Sequence, residues 1–194
     1  MAKLQDIIQW CDQTLKSPEF KDYAPNGLQI EGKTEVRKIL AAVTASQDAI
    51  DAAIQENADL LLVHHGYFWK GEASPITGMR GKRIKSLIQH DISLLAYHLP
   101  LDSHPSLGNN AAIADLLELE RIEALDPSER HPIGNIGYLN QPMPVEEFKK
   151  FVSEKLKFDV THLPADKTMI EKVGFCTGGA QDFICLLYTS PSPR

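Results

Sequence analysis

The chain has 194 residues, 43% of them hydrophobic and 24% charged, with a formal net charge of −6. That composition describes a folded chain able to bury one good core or two small ones, and excludes an intrinsically disordered one. The acidic balance disfavours a general nucleic-acid surface, and no stretch reaches the roughly eighteen apolar residues of a membrane span.

The N-terminal stretch carries acidic groups early and no apolar run of signal length. Cys11, Cys176 and Cys185 form no CxxC pair. Neither a disulfide framework nor a cysteine zinc site is therefore expected, and the reducing cytoplasm is the default location.

Leu4, Ile7, Ile8, Cys11 and Leu15 have the spacing of an amphipathic helix, which Ser17-Pro18 ends. Pro25-Asn26-Gly27 reads as a hairpin turn before a short strand over Leu28 to Ile30. Lys38 to Val43 reads as a buried strand. Thr44-Ala-Ser-Gln47 matches a capping box and opens a helix that turns Ile50, Ala53 and Ile54 inward.

The run Leu60-Leu-Leu-Val63 is a second buried strand and ends in His64-His65-Gly66. The loop after it is rich in aromatics. Phe68 and Trp69 either pack beneath that loop or form a wall that dries a pocket. Met79 to His90 reads as a helix with a solvated basic face, and Ile92 to Ala96 as a third buried strand leading to His98 and Asp102. Strand, helix and strand in this order make the two strands parallel, and parallel strands deliver their carboxyl ends to one edge of a sheet, where open α/β sheets bind ligands. His64, His65, His98 and Asp102 are therefore expected together at that edge.

Asn109 or Asn110 is placed to cap a helix over Ala111 to Leu117. Asp126-Pro-Ser and His131-Pro mark an exposed loop. The reading divides the chain into a metal-site α/β domain over 1–125, the start of a second α/β subdomain over 126–184, and a tail over 185–194. In the second part, Gly134 to Leu139 reads as a strand, Val145 to Leu156 as a helix after Pro144, and Val173 to Gly179 as a strand running into a glycine turn able to cradle an anion. The tail, Cys185-Leu-Leu-Tyr-Thr-Ser-Pro-Ser-Pro-Arg194, resembles the read-through translation of a transposase sequencing adapter. On that reading the native sequence stops near Ile184, the chain is truncated, and the tail is irregular.

Imidazole and carboxylate donors together suit zinc, iron, manganese or nickel rather than calcium. Neighbouring side chains on a regular strand face opposite ways, so His64 and His65 grip one ion only if the chain turns sharply, or else serve different ions of a pair. Asp102 could hold either ion or bridge them. Three roles stay open for His98: ligand, hydrogen-bond partner of a ligand, or proton shuttle. The last would make it the catalytic residue.

The stretches DYAPNGLQIEG, VTASQ, LLLVHHGYFWKGE, AYHLPLDSHPSLGNNAAIA and CTGGAQDFI together resemble the type-2 GTP cyclohydrolase I homologues, also called NIF-three-like dinuclear-metal proteins. The resemblance runs from about Leu4 to Ile184. It implies a mixed α/β sheet with parallel βαβ units flanked by helices, two divalent metal ions and a ring-shaped homohexamer. By position it makes His64, His65 and Asp102 metal ligands and puts His98 in the pocket. It also implies a His-x-x-x-Glu motif that this sequence lacks, so the chain is expected to hold at most one ion, weakly, and to lack turnover. The activity it implies is metal-dependent hydrolysis of a small molecule. The alternative is a non-enzymatic metal-holding scaffold or regulatory protein.

Overall fold

Alternate residues of the apolar run Leu60–Val63 go to opposite faces of a sheet, and both faces are covered by helices. This explains why the run shows no polar alternation. The computed structural model describes residues 1–164, 166 and 168–183; the expected irregular tail at 185–194 lies outside the described residues. The chain forms two compact units, the first over Met1–Leu101 and the second from Asp102 onward.

In the first unit the order is β1 (Ala2–Lys3), α1 (Leu4–Leu15), β2 (Gly27–Ile30), β3 (Glu35–Val36), β4 (Ile39–Thr44), α2 (Gln47–Gln55), β5 (Leu60–His65), α3 (Gly78–Gln89) and β6 (Ser93–Ala96). A short helix α4 (Leu99–Asp102) leads out of it. The main sheet has the strand order β2-β6-β5-β4. β4, β5 and β6 are parallel, with Leu61 opposite both Leu40 and Leu94, while β2 runs antiparallel on the edge beside β6. The sheet is thus mixed, and α2 and α3 are the crossovers that parallel pairing demands.

Leu61, Val63, Leu94 and Ala96 meet Ile50 and Ala53 of α2 and Ile84 and Leu87 of α3. Leu60, Leu95 and Tyr97 meet Leu4 and Cys11 of α1. The helix read from Leu4 to Leu15 is thereby the cover of one face. Two local expectations change. The cap of α2 is Ser46, whose Oγ accepts from Ala49 N at 3.2 Å, while Thr44 still belongs to β4. Asn26-Gly27 closes no hairpin, because β2 pairs with β6, some seventy residues on.

The second unit contains α5 (Asn109–Leu116), β7 (Glu120–Ala124), β8 (Asn135–Pro144), α6 (Val145–Leu156) and β9 (Met169–Phe175). β8 is central in an antiparallel sheet of order β7-β8-β9. Its core gathers Ala114, Leu117 and Leu119 with Phe151, Val152, Val173 and Phe175. The loop Asp126–Pro132 falls between β7 and β8. α5 is capped by Gly108 rather than by either asparagine, which frees both amides for other work. No helix among the described residues is long and apolar enough to cross a membrane.

Gly66, directly after β5, has no room for a side chain. A Cβ there would lie 2.8 Å from the Ala96 Cβ and would strike the Gln29 side chain. Gln29 cannot simply yield, since its Oε1 accepts from Tyr67 N at 2.7 Å and its Nε2 donates to Pro25 O at 2.8 Å. We expect Gly66→Ala to lower the unfolding free energy by about 1–3 kcal/mol, the usual cost of overpacking. Urea denaturation measures it, and an unchanged midpoint would refute the close-approach account of this glycine.

Candidate metal centre

β5 ends in His64 and His65, and β6 is followed at once by Tyr97 and His98. Because the strands are parallel, all three histidines emerge at the same edge. The ring centroids of His64 and His65 are 4.3 Å apart, those of His64 and His98 5.1 Å, and those of His65 and His98 5.7 Å. One ligand atom from each lies within 4.8 Å of the others. The rings of His64 and His65 lie close together although successive side chains on a regular strand face opposite ways.

Each ring is fixed through Nδ1. His64 Nδ1 lies 2.9 Å from the carbonyl oxygen of Tyr97. His65 Nδ1 lies 3.2 Å from Thr44 Oγ1, the last residue of β4. His98 Nδ1 lies 2.8 Å from Asp22 Oδ1. A carbonyl or carboxylate oxygen can only accept, so Nδ1 of His64 and of His98 carries a proton, which in the neutral ring leaves none on Nε2. That is the tautomer a metal ligand needs.

Trp69 and Phe68 divide the two roles the sequence left open. The Trp69 ring stands edge-on to His98 at 4.8 Å and 5.9 Å from His65, held by Nε1 donating to Gly66 O at 3.2 Å. It walls the imidazole cluster. Phe68 packs on the core face shared with α2 and α3 and takes a left-handed φ of 66° to reach it.

Sequence reasoning missed Asp22 and Asn26. Asp22 accepts from His98 Nδ1 and, through Oδ2, from Leu99 N at 2.9 Å and Asn26 Nδ2 at 2.9 Å; Tyr23 N donates to Oδ1 at 2.6 Å. Asn26 Oδ1 in turn accepts from His98 N at 2.8 Å. The residues read as a turn are a polar clamp on the segment after β6. The available signal was an aspartate and an asparagine four apart in a proline-containing loop, unused by any helix. Lys70 N, donating to Tyr23 O at 2.6 Å, ties the clamp to the Trp69 loop. A cleft of about 580 Å³ opens with Asp22, Asn26, Phe68 and Lys70 in its wall.

Asp102 belongs to the second unit. It is buried, and its Oδ1 accepts from Asn109 Nδ2 at 2.7 Å and Thr177 Oγ1 at 3.3 Å. Thr177 N donates to Asn110 Oδ1 at 2.8 Å, and Asn110 Nδ2 donates to the Ile133 carbonyl. The N–H that opens the glycine turn is therefore committed to Asn110. Burial first, then the Asp102 charge, pushes the Cys176 thiol up and keeps it protonated.

A mixed α/β protein with histidines in metal-holding geometry at the parallel-strand edge is the class that fold and site define. The chain belongs to the Duf34/NIF3 (NGG1p interacting factor 3) family, whose model matches residues 2–190. It is 48% identical over 183 residues to a Haemophilus influenzae protein named GTP cyclohydrolase 1 type 2 homolog, covering 93% of this chain and 72% of that one. An Escherichia coli protein of the same name is 42% identical over 183 residues, covering 94% and 72%. Among solved structures, protein ybgI, described as of unknown function, matches with a TM-score of 0.91 at 40% identity over 98% of this chain and 75% of that one. The Thermus thermophilus protein TTHA1606 matches with a TM-score of 0.82 at 29% identity over 95% and 74%.

Burial alone would raise the Asp22 carboxyl, but hydrogen bonds from His98, Asn26, Leu99 N and Tyr23 N outweigh it and hold the group at about 2. Its folded value thus lies below the unfolded value of about 3.9. The stabilisation, about 2 kcal/mol by linkage, is fully present above the unfolded value and is lost as pH falls through the folded one. The stability difference between wild type and Asp22→Asn should accordingly narrow between about pH 4 and pH 2. Urea titrations at stepped pH measure it; a difference constant across that window would contradict the assignment.

Proposed function

We propose that His64, His65 and His98 hold a divalent ion in a hydrolase centre, with Asp102 contributing a carboxylate to a dinuclear site. The observation that carries the reading is the convergence of three imidazole ligand atoms within 4.8 Å. The donor set fits a transition ion. Zinc takes imidazole nitrogen at roughly 2.0–2.1 Å, so nitrogens around one tetrahedral ion lie about 3.3 Å apart, a closure within side-chain reach. Nitrogen donors suit zinc, iron, manganese or nickel rather than calcium. Asp102 and the second ion rest on likeness to the family.

An ion held there supplies an acidified water and a Lewis acid for an oxyanion. The chain's own residues do the rest. The Tyr97 carbonyl and Asp22 keep the Nδ1 protons of His64 and His98 away from the ion, and the Trp69 ring excludes bulk water from one side. The relatives' name makes GTP the first substrate to test, with ring opening as hydrolysis of a C–N bond.

Calorimetric titration with zinc and manganese tests the ion. One ion per chain is expected for wild type. His64→Ala and His65→Ala should each weaken binding by more than the roughly 10–100-fold that an orienting partner is worth. Two tightly held ions per chain would overturn the one-ion occupancy expected of this chain, and none would overturn the metal reading. A turnover screen of the Haemophilus influenzae relative with GTP, phosphodiesters and cyclic amides tests hydrolysis. Bound metal with no turnover would favour the scaffold.

A further inference from the structure

The group that fixes the His98 ring is an ionised side chain, and it comes from a loop 76 residues away in sequence. The Asp22 side chain is 2% exposed and that of His98 17%. All the Asp22 hydrogen bonds converge on one purpose. Tyr23 N and Asn26 Nδ2 orient the carboxylate, Leu99 N and His98 Nδ1 donate to it, and Asn26 Oδ1 takes the His98 backbone N–H. Both the backbone and the ring of His98 are fixed by the same two residues.

We infer that Asp22 is a positioning residue that holds His98 as an Nε2 donor toward the metal centre. The inference rests on the metal reading above. His98 is pinned at both ends, and its Nδ1 proton sits on a carboxylate that already accepts three other hydrogen bonds. A carboxylate on the far nitrogen is the arrangement that holds a ligating imidazole in the right tautomer and raises its basicity. Asn26 supports it by orienting Asp22 and holding the His98 backbone.

Asp22→Asn is the informative change, because it keeps the shape and can reverse the hydrogen bond. An amide NH₂ facing His98 would donate to Nδ1 and drive the ring proton to Nε2, where an ion would sit. Three measurements separate the possibilities. In metal-free wild type, nitrogen NMR of the His98 ring should show the Nδ1–H tautomer, and in Asp22→Asn the Nε2–H tautomer. Cobalt(II) affinity should fall roughly 10–100-fold in Asp22→Asn, with a changed visible spectrum reporting a lost nitrogen donor. In a His98→Ala background, adding Asp22→Asn should change affinity by less than about twofold, since the partner through which Asp22 acts is gone.

A wild-type spectrum and affinity in Asp22→Asn would overturn the inference while leaving the metal reading standing. So would an equal loss in both backgrounds, which is what a merely structural role would give. No cobalt bound by wild type would sink the metal reading and this inference together. If Asp22→Asn does not fold, the His98 tautomer in wild type still decides: Nε2–H there would refute the assignment.

Discussion

Parallel pairing of β4, β5 and β6 is the constraint on which the rest of the first unit depends. Thr44 lies opposite His65 across β4 and β5, and Val63 lies opposite Ala96 across β5 and β6. With that register the three strands end together. Thr44, His64, His65 and His98 then project from one edge without any one segment carrying them all. A slip of one residue in the β5–β6 register would turn every β5 side chain to the other face, taking Leu61 and Val63 out from under α2 and α3. The register that buries the core is therefore the register that assembles the imidazoles, and stability and site geometry are selected by one packing arrangement.

Gathering three imidazoles creates a second requirement. Each ring has two nitrogens, and a half-buried ring left with an unmatched donor costs free energy. The fold meets this with three partners of different kinds: a backbone carbonyl after β6, a threonine hydroxyl at the end of β4, and a carboxylate from the loop before β2. Strand neighbours supply the first two without any added length of chain. The third needs a loop that crosses the sheet edge and is itself secured, through Lys70 N, to the aromatic segment that places Trp69.

What was legible in the sequence follows from the range of the interactions involved. The β5 run and the two βαβ crossovers could be read because apolar run length and helix periodicity are local signals. The convergence of His64 with His98 could be read because parallel pairing is forced by the crossover. The gathering of His64 and His65 followed from the same argument, but whether they serve one ion or two could not be read, since strand alternation leaves both arrangements open. Asp22 and Asn26 stayed hidden for a different reason. Pro-Asn-Gly is a strong turn signal, and nothing local marks a side chain whose partners lie more than seventy residues on. The asparagines at 109 and 110 misled in the same way: both looked like caps, but one amide donates to Asp102, and the other bridges Ile133 and Thr177.

These misreadings share a physical cause. Asp and Asn favour caps and turns because their short side chains reach nearby backbone groups, so a sequence reading assigns them to local duty. At Asp22, Asn26, Asn109 and Asn110 the local need is already met: Gly108 caps α5, and no hairpin exists at residue 26. Their polar atoms are then available to groups brought close only by folding. In both units the outcome is a shared pattern, in which an amide and a second polar donor fix one carboxylate. Asp22 is fixed by Asn26 and backbone N–H groups, and Asp102 by Asn109 and Thr177. A carboxylate with its oxygens so assigned loses little further conformational freedom when it orients a ligand or binds an ion, which reduces the entropy cost of doing so. Such residues should be sought wherever a capping residue type sits at a helix or strand boundary that something else already caps.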